Sequence, residues 1–181
     1  MTPSRKRAAD PDPIETAPLR DEVDSVVEAW TEAHPDLDLT PLHVFSRIDR
    51  IAQLLDRHRR RTFQAHDLEP WELDVLAALR RAGAPYRLSP GRLLRETHVT
   101  SGTMTNRVDR LVAKGLVHRA QDPSDGRGVL VELTDDGLHL VDRALAALVD
   151  LEAGLLGEWS CDERGDLAAY LRRLLLDSDP S

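Results

Sequence analysis

The segment between residues 100 and 114 places Thr103, Asn106, Arg107, Arg110 and Lys114 on one face. Its short hydrogen-bonding groups are Ser101, Thr103, Thr105 and Asn106, and its long cations are Arg110 and Lys114. Short donors and acceptors near the start of a helix can reach base edges in a DNA groove, while cations further along bind phosphates. The segment therefore predicts a helix that reads duplex DNA. The alternative interpretation is the solvated face of an ordinary amphipathic helix.

The segment that follows changes from a helical period to an alternation of two residues. Residues 116–119 and 129–133 are strand-like, and the loop between them, 121–128, is rich in turn-forming residues. A hairpin directly after the helix favours the DNA-reading interpretation. At the hairpin tip, Arg127 can enter the minor groove, where the negative potential is strongest. Asp125 either orients Arg127 or simply stabilises the turn.

Helices are predicted on both sides of this unit. Apolar spacing and capping residues indicate helices beginning near residues 21, 40, 69 and 89, and two more beginning at Thr134 and Ser160. The reading helix should turn four apolar side chains towards the core: Met104, Val108, Leu111 and Val112. The predicted fold class is mainly α with a small β-hairpin wing, in which a winged helix-turn-helix lobe joins a helical dimerisation region.

The predicted divisions are a disordered tail over 1–20, an added N-terminal helix and a dimerisation helix over 21–66, the winged DNA-binding lobe over 67–135 and C-terminal dimerisation helices over 136–176. The distribution of charge along the chain supports placing the DNA-binding lobe over residues 67–135. Residues 87–119 carry seven Arg and Lys against two acids, whereas residues 120–181 carry fourteen acids against five bases. A basic centre can bind phosphate although the 181-residue chain has a net charge of −8.

Several other classes of protein are disfavoured by the composition. No apolar run approaches the roughly 18 residues of a membrane span, and no secretory signal opens the chain, so we expect a cytoplasmic protein without a membrane partner. Cys161 is the single cysteine, which rules out an internal disulfide framework. We find no catalytic motif and no zinc-like spacing among the seven histidines, so we expect neither an enzyme nor a metal or other cofactor.

Residues 68–140 resemble the MarR (multiple-antibiotic-resistance regulator) family. The matching stretches are LEPWELDVLAALRRAG, SGTMTNRVDRLVAKGLVHR and DPSDGRGVLVELTDDG. They include the Asp-x-Arg of the wing and a Leu-Thr-x-x-Gly motif at Leu133, Thr134 and Gly137. The resemblance implies a homodimer with one winged lobe on each side of a helical body, bound to a pseudo-palindromic DNA operator.

A ligand site is suggested by Asp74, the one charge within the apolar run LDVLAAL. A buried carboxylate costs several kcal/mol unless it is paired. With an added Trp-bearing helix, the chain resembles the urate-responsive branch of the family, and this implies a ligand set of Trp30, Asp74, Arg107 and Arg119. Arg119 should end the first hairpin strand near the third helix. The alternatives are a different small anion, such as a polycarboxylate or a phenolic anion, and a purely structural ion pair.

The sequence thus predicts a ligand-responsive transcription regulator, and the family resemblance implies a repressor that a urate-like anion releases from DNA. Two other classes remain open at this point. One is a DNA-binding protein that responds to no ligand, and the other is a helical interaction module without DNA binding.

Overall fold

A computed structural model describes residues 19–97, 99–123 and 128–178. The predicted tail over 1–20 lies outside these residues except for its last two positions. Two compact units are distinguished, Met1–Gln53 and Leu54–Ser181. The long helix α2, Thr40–Gln64, begins in the first unit and ends in the second.

The first unit contains α1, Glu22–Ala33, and the start of α2. Asp21 caps α1, and its side chain accepts the backbone N–H of Val23 at 2.8 Å. Arg47 of α2 donates to the carboxylates of Asp21 and Asp24 at 2.8 and 2.7 Å. The hydrogen bond from Arg47 lowers the pKa of Asp21 below its ordinary value, so this carboxylate stays charged near neutral pH. The helix that the sequence predicts over 21–33 is therefore present and is fastened to α2.

The second unit has a mainly helical order with one small sheet. After α2 come α3 (Pro70–Arg81), β1 (Arg87–Leu88), α4 (Pro90–Thr97), α5 (Ser101–Ala113), β2 (Val117–Gln121), β3 (Val129–Leu133), α6 (Asp135–Leu155) and α7 (Cys161–Ser178). The strands pair antiparallel in the order β1-β3-β2. The predicted fold class, mainly α with a hairpin wing, is confirmed, and β1 is a third strand that the sequence did not reveal.

The core of the second unit joins α3, α5 and the sheet. Met104, Val108 and Leu111 of α5 are at most 2% exposed, so three of the four residues predicted to face the core do so. The prediction for Val112 is wrong, because this side chain is 36% exposed. The buried stripe packs α5 against the core and leaves the polar side of the helix facing solvent.

The Leu-Thr-x-x-Gly motif joins the hairpin to the start of α6. Thr134 accepts the backbone N–H of Gly137 at 3.0 Å and donates to the carbonyl of Gly115 at 2.8 Å. A Cβ atom at Gly137 would lie 2.0 Å from the backbone oxygen of Leu116. The motif therefore fixes α6 against the turn that leads from α5 into β2, and only a glycine permits this approach.

The last two helices expose large apolar side chains. Every described residue of α7 is at least partly exposed, and α6 exposes Leu145 and Val149 at 50% and 55%. On α7 the exposed apolar residues are Leu167, Tyr170, Leu171, Leu175 and Leu176. Ser160 and Glu163 form the predicted capping box before α7, with Ser160 N–H to Glu163 Oε2 at 2.7 Å. Within the described ranges, no helix is long and apolar enough to span a membrane.

Candidate nucleic-acid interface

The outer face of α5 carries the short polar residues that the sequence predicts as DNA contacts. Ser101, Thr103, Thr105 and Asn106 are all exposed. Thr100 is the N-cap, and its hydroxyl lies 3.0 Å from that of Thr103. Because the opposite face is anchored in the core, these groups occupy a fixed surface at the N-terminal end of the helix. This arrangement suits base contacts in a major groove.

Arg110 is also exposed, and it contacts the start of α3. Its guanidinium pairs with Oε1 of Glu69 and lies 4.7 Å from the centre of the Trp71 ring. The indole N–H of Trp71 donates to Oε2 of Glu69, and Arg107 lies over the same ring at 5.4 Å. The hydrogen bonds from Trp71 and Arg110 lower the pKa of Glu69. Both arginines of α5 are thus held on one aromatic side chain.

Lys114 has a structural partner that the sequence did not indicate. Its ammonium lies 2.7 Å from the carboxylate of Glu72, which is fully buried, and it donates to the carbonyl of Asp67 at 3.1 Å. The same carboxylate accepts the backbone N–H of Glu69 at 2.9 Å. These contacts tie the C-terminal end of α5 to the N-terminal end of α3. A DNA contact by Lys114 stays a prediction, and the structure favours an anchoring role for this residue.

We expect Lys114→Ala to destabilise the fold by about 2 kcal/mol, because it leaves the charged Glu72 side chain buried with one partner fewer. The lysine itself is 40% exposed, so water moderates the loss. Thermal unfolding followed by circular dichroism measures the effect. Arg143→Ala removes one cation from the exposed surface of α6 and is the matched control. Equal melting temperatures for the two variants would show that the pair does not anchor α5.

Two wing residues, Asp125 and Arg127, fall outside the described residues. The strands on either side of them are described, with Gln121 paired to Val129 in the antiparallel register. The hairpin is therefore present as predicted, and the minor-groove contact of Arg127 stays a prediction.

Asp74 does not occupy the buried position that its apolar neighbours suggested. It lies on the exposed side of α3, and the buried carboxylate of this helix is Glu72. Partial loss of water still raises the pKa of Asp74, while the charges of Arg107 and Arg81 oppose this rise. The expectation of a buried Asp74 is wrong, and a shared ligand role for Asp74 and Arg107 stays a prediction.

A cavity of about 450 Å³ borders Asp74. Its aliphatic lining is Leu73, Ala77, Val141, Leu145 and Leu148, contributed by α3 and α6. Two arginines also line it, and both have acidic partners: Arg80 donates to Asp142 at 2.8 Å, and Arg81 lies 3.6 Å from Glu96. The cavity thus combines an apolar wall with a charged rim, which suits a small polar molecule with an apolar face.

Arg119 lies elsewhere than predicted. It stands in the middle of β2, where its guanidinium donates to Asp109 of α5 at 2.7 Å. It lines a separate cavity of about 110 Å³, which has no lining residue in common with the cavity beside Asp74. The expectation that Arg119 lies near the third helix is therefore not met, because its strand packs against the reading helix.

Trp30 belongs to the first unit, where it is 50% exposed and stacks on His34 with ring centres 5.4 Å apart. Its part in a ligand set stays a prediction. Within the described ranges, no group of three or more His, Cys, Asp and Glu side chains could hold a metal ion.

Sequence reasoning missed Glu69, Trp71 and Glu72 as partners of the reading helix. The only sequence signal was their place at the start of α3, where Glu69-Pro70-Trp71 opens the helix. Their partners, Arg110 and Lys114, lie 41 and 42 residues further along the chain. A pairing over this distance depends on how α3 and α5 cross, and no local pattern reports that crossing.

The order of elements and the outward polar face of α5 define a winged helix-turn-helix protein of the DNA-binding class. Comparison with known proteins supports this classification. A sequence model of the MarR family matches residues 66–128. The HTH-type transcriptional regulator PecS of Dickeya dadantii is 36% identical over 153 residues, which cover 84% of this chain and 92% of PecS.

Two further comparisons extend the match. The HTH-type transcriptional repressor NicR of Pseudomonas putida is 30% identical, over 82% of this chain and 94% of NicR. A crystal structure of a MarR variant from E. coli complexed with operator DNA superposes with a TM-score of 0.58, at 28% identity, over 77% of this chain and 99% of that one. The chain belongs to the MarR family. Its named relatives are transcription regulators, which fits the prediction that it is not an enzyme.

Proposed function

We propose that this protein is a homodimeric, ligand-responsive transcription repressor that binds a pseudo-palindromic operator. The observation that carries the proposal is the α5 surface, where four short polar residues and Arg110 lie outward on a helix anchored by its other face. The repressor NicR and the operator-bound MarR variant support the same assignment. Because transcription regulators act on chromosomal DNA, a cytoplasmic location is part of the proposal.

The homodimer is supported by apolar surface on the terminal helices. Tyr170, Leu175 and Leu176 of α7 are each more than 70% exposed in the single chain. Several large apolar side chains exposed on one helix are a feature of protein–protein interfaces. We propose that a second copy of the chain covers it and places two reading helices about one turn of DNA apart, at half-sites roughly 10 bp from centre to centre.

Repeated selection of bound duplexes from a random-sequence pool tests the DNA-binding proposal. We expect the recovered sequences to share an inverted repeat, and light scattering to show two protein chains for each bound duplex. Recovery of no common sequence, or of an asymmetric one bound by a single chain, would contradict the proposal.

The proposal also names the chemical class of the effector that releases the protein from DNA. We propose urate or a related purine anion as the effector, with Asp74 and Arg107 as contacts. Partial loss of water raises the pKa of Asp74, and its carboxylate can accept a ring N–H of a purine or hold Arg107. Arg107 can bind the anionic oxygen with its planar guanidinium, and it belongs to the reading helix. An anion between these two residues would therefore act directly on the position of α5.

Two other residues enter the ligand set through the resemblance alone. Trp30 could stack on a purine ring, and Arg119 could neutralise its charge after leaving Asp109. A polycarboxylate or phenolic anion at the same residues is the alternative effector. A DNA-binding protein without any effector is the alternative class.

Tryptophan fluorescence during a titration with urate tests the ligand assignment. We expect quenching in the wild type and a weaker response in Asp74→Asn, with operator binding by the ligand-free variant retained. Trp30→Phe tests the predicted stacking in the same assay. Citrate and salicylate are the comparison ligands. Binding of one of these in place of urate would replace the purine assignment with the alternative effector, and binding of none would favour an effector-independent protein.

A further inference from the structure

Trp71 contacts both arginines of the reading helix and Glu69 pairs with Arg110, and the proposed function assigns neither Trp71 nor Glu69 a role. We propose that Glu69 competes with DNA for Arg110 and thereby limits operator affinity, while Trp71 is the positioning residue that keeps Arg110 within reach of either partner. The inference rests on the proposed function, since it takes Arg110 as a DNA contact.

The geometry makes Glu69 a direct competitor. One carboxylate oxygen of Glu69 accepts from Arg110 and the other accepts from the indole N–H of Trp71. Planar guanidinium groups bind carboxylate and phosphate oxygens through the same N–H donors. A phosphate or a guanine edge can engage these donors fully only when Glu69 releases them. A contact with DNA that uses the Nη2 donor of Arg110 therefore replaces an internal contact.

The charges of the pair explain why the competition persists at neutral pH. Hydrogen bonds from Trp71 and Arg110 lower the pKa of Glu69, and its place before the first turn of α3 adds the favourable field of a helix N-terminus. The carboxylate therefore remains negative beside approaching DNA. Both side chains are about half exposed, at 54% for Arg110 and 52% for Glu69. A pair this open to water is weak, so DNA can displace it.

Trp71 gives Arg110 a second support that does not depend on Glu69. The guanidinium lies 4.7 Å from the ring centre, within the range of a cation–π contact. A cation–π contact depends on the charge of the guanidinium and not on a particular N–H donor, so Arg110 keeps donors for Glu69 or DNA. Arg110 can therefore exchange Glu69 for DNA without losing its place on the ring.

The test is Glu69→Gln, which removes the charge and keeps an oxygen for the indole N–H of Trp71. We expect this variant to bind the selected operator duplex roughly three- to tenfold more tightly, because a weak surface pair no longer opposes binding in either protomer. The dependence of log affinity on log salt concentration should steepen by about one unit per protomer, since each Arg110 then neutralises a phosphate without an internal anion beside it. Glu152→Gln is the control. It removes an equal charge from α6, where Glu152 pairs with Arg59 of α2.

The double variant Glu69→Gln/Arg110→Ala separates the possible outcomes. If Glu69 acts through Arg110, its substitution brings no gain over the control in the Arg110→Ala background. Two results would contradict the competition and leave the proposed function intact. One is a gain in operator affinity equal to that of Glu152→Gln in both backgrounds. The other is a loss of affinity that is specific to one base pair. Full operator binding by Arg110→Ala alone would overturn both, because the reading face itself would then be misassigned.

Discussion

Replacing Arg110 by alanine is expected to weaken operator binding at least tenfold. A hydrogen bond to a charged group contributes about 1.5–3 kcal/mol, and the proposed dimer loses two such contacts with DNA. The fold should not suffer, since Arg110 is exposed and its pair with Glu69 lies at the surface. Fluorescence anisotropy with the selected operator measures the loss, and circular dichroism checks the fold.

The control for this variant is Arg143→Ala, which removes an equal charge from the exposed side of α6. Its affinity should stay within about twofold of the wild type, as expected for a cation that lies away from the reading face. If the two variants lost affinity equally, Arg110 would act only through net charge, and its proposed direct contact with DNA would be wrong.

Gly137→Ala is expected to lower the free energy of unfolding by about 1–3 kcal/mol or more. The new Cβ atom would lie 2.0 Å from the backbone oxygen of Leu116, so either α6 or the turn after α5 has to move. For a chain of this size the melting temperature should fall by roughly 3–10 °C. Because the same turn sets the direction of the wing, we also expect weaker operator binding.

Gly91→Ala is the matched control for this second variant. Gly91 lies in the first turn of α4, and a Cβ atom there would meet nothing within 4 Å. We expect an unchanged or slightly higher melting temperature, since alanine favours a helix over glycine by about 1 kcal/mol. Equal melting temperatures for Gly137→Ala and Gly91→Ala would contradict the tight approach of α6 to Leu116.

Local periodicity predicted most of the fold, because each long element buries one face. Met104, Val108 and Leu111 recur at helical spacing, and all three are buried. The strand β1 escaped prediction because it has two residues, Arg87 and Leu88, and exists only through its pairing with β3. No pattern within two residues can report a partner that lies more than forty residues away.

The candidate site was predicted less completely, because its side chains depend on how separate elements cross. Asp74 stands between apolar neighbours in the sequence, yet the helix turns it outward and turns Glu72 inward. Glu72 can be buried because Lys114 reaches it from α5. Arg119 likewise finds Asp109 on α5 instead of a residue of α3. Residue type indicated that these groups matter, but their partners follow from tertiary packing alone.

We propose that a small anion releases this protein from DNA, and titration of urate into the preformed protein–operator complex is the most direct test. Moving the population from mostly bound to mostly free requires the ligand to favour the free state by several kcal/mol. A charge-assisted contact contributes about 1.5–3 kcal/mol, so at least two contacts have to differ between the two states, and Asp74 and Arg107 are the pair that we expect.

We predict a saturable fall in fluorescence anisotropy to the value of free DNA in the wild type, and no fall in Asp74→Asn. Retention of the complex at millimolar urate, together with release by citrate or salicylate, would contradict the purine assignment; retention with all three ligands would contradict ligand release by the anions proposed.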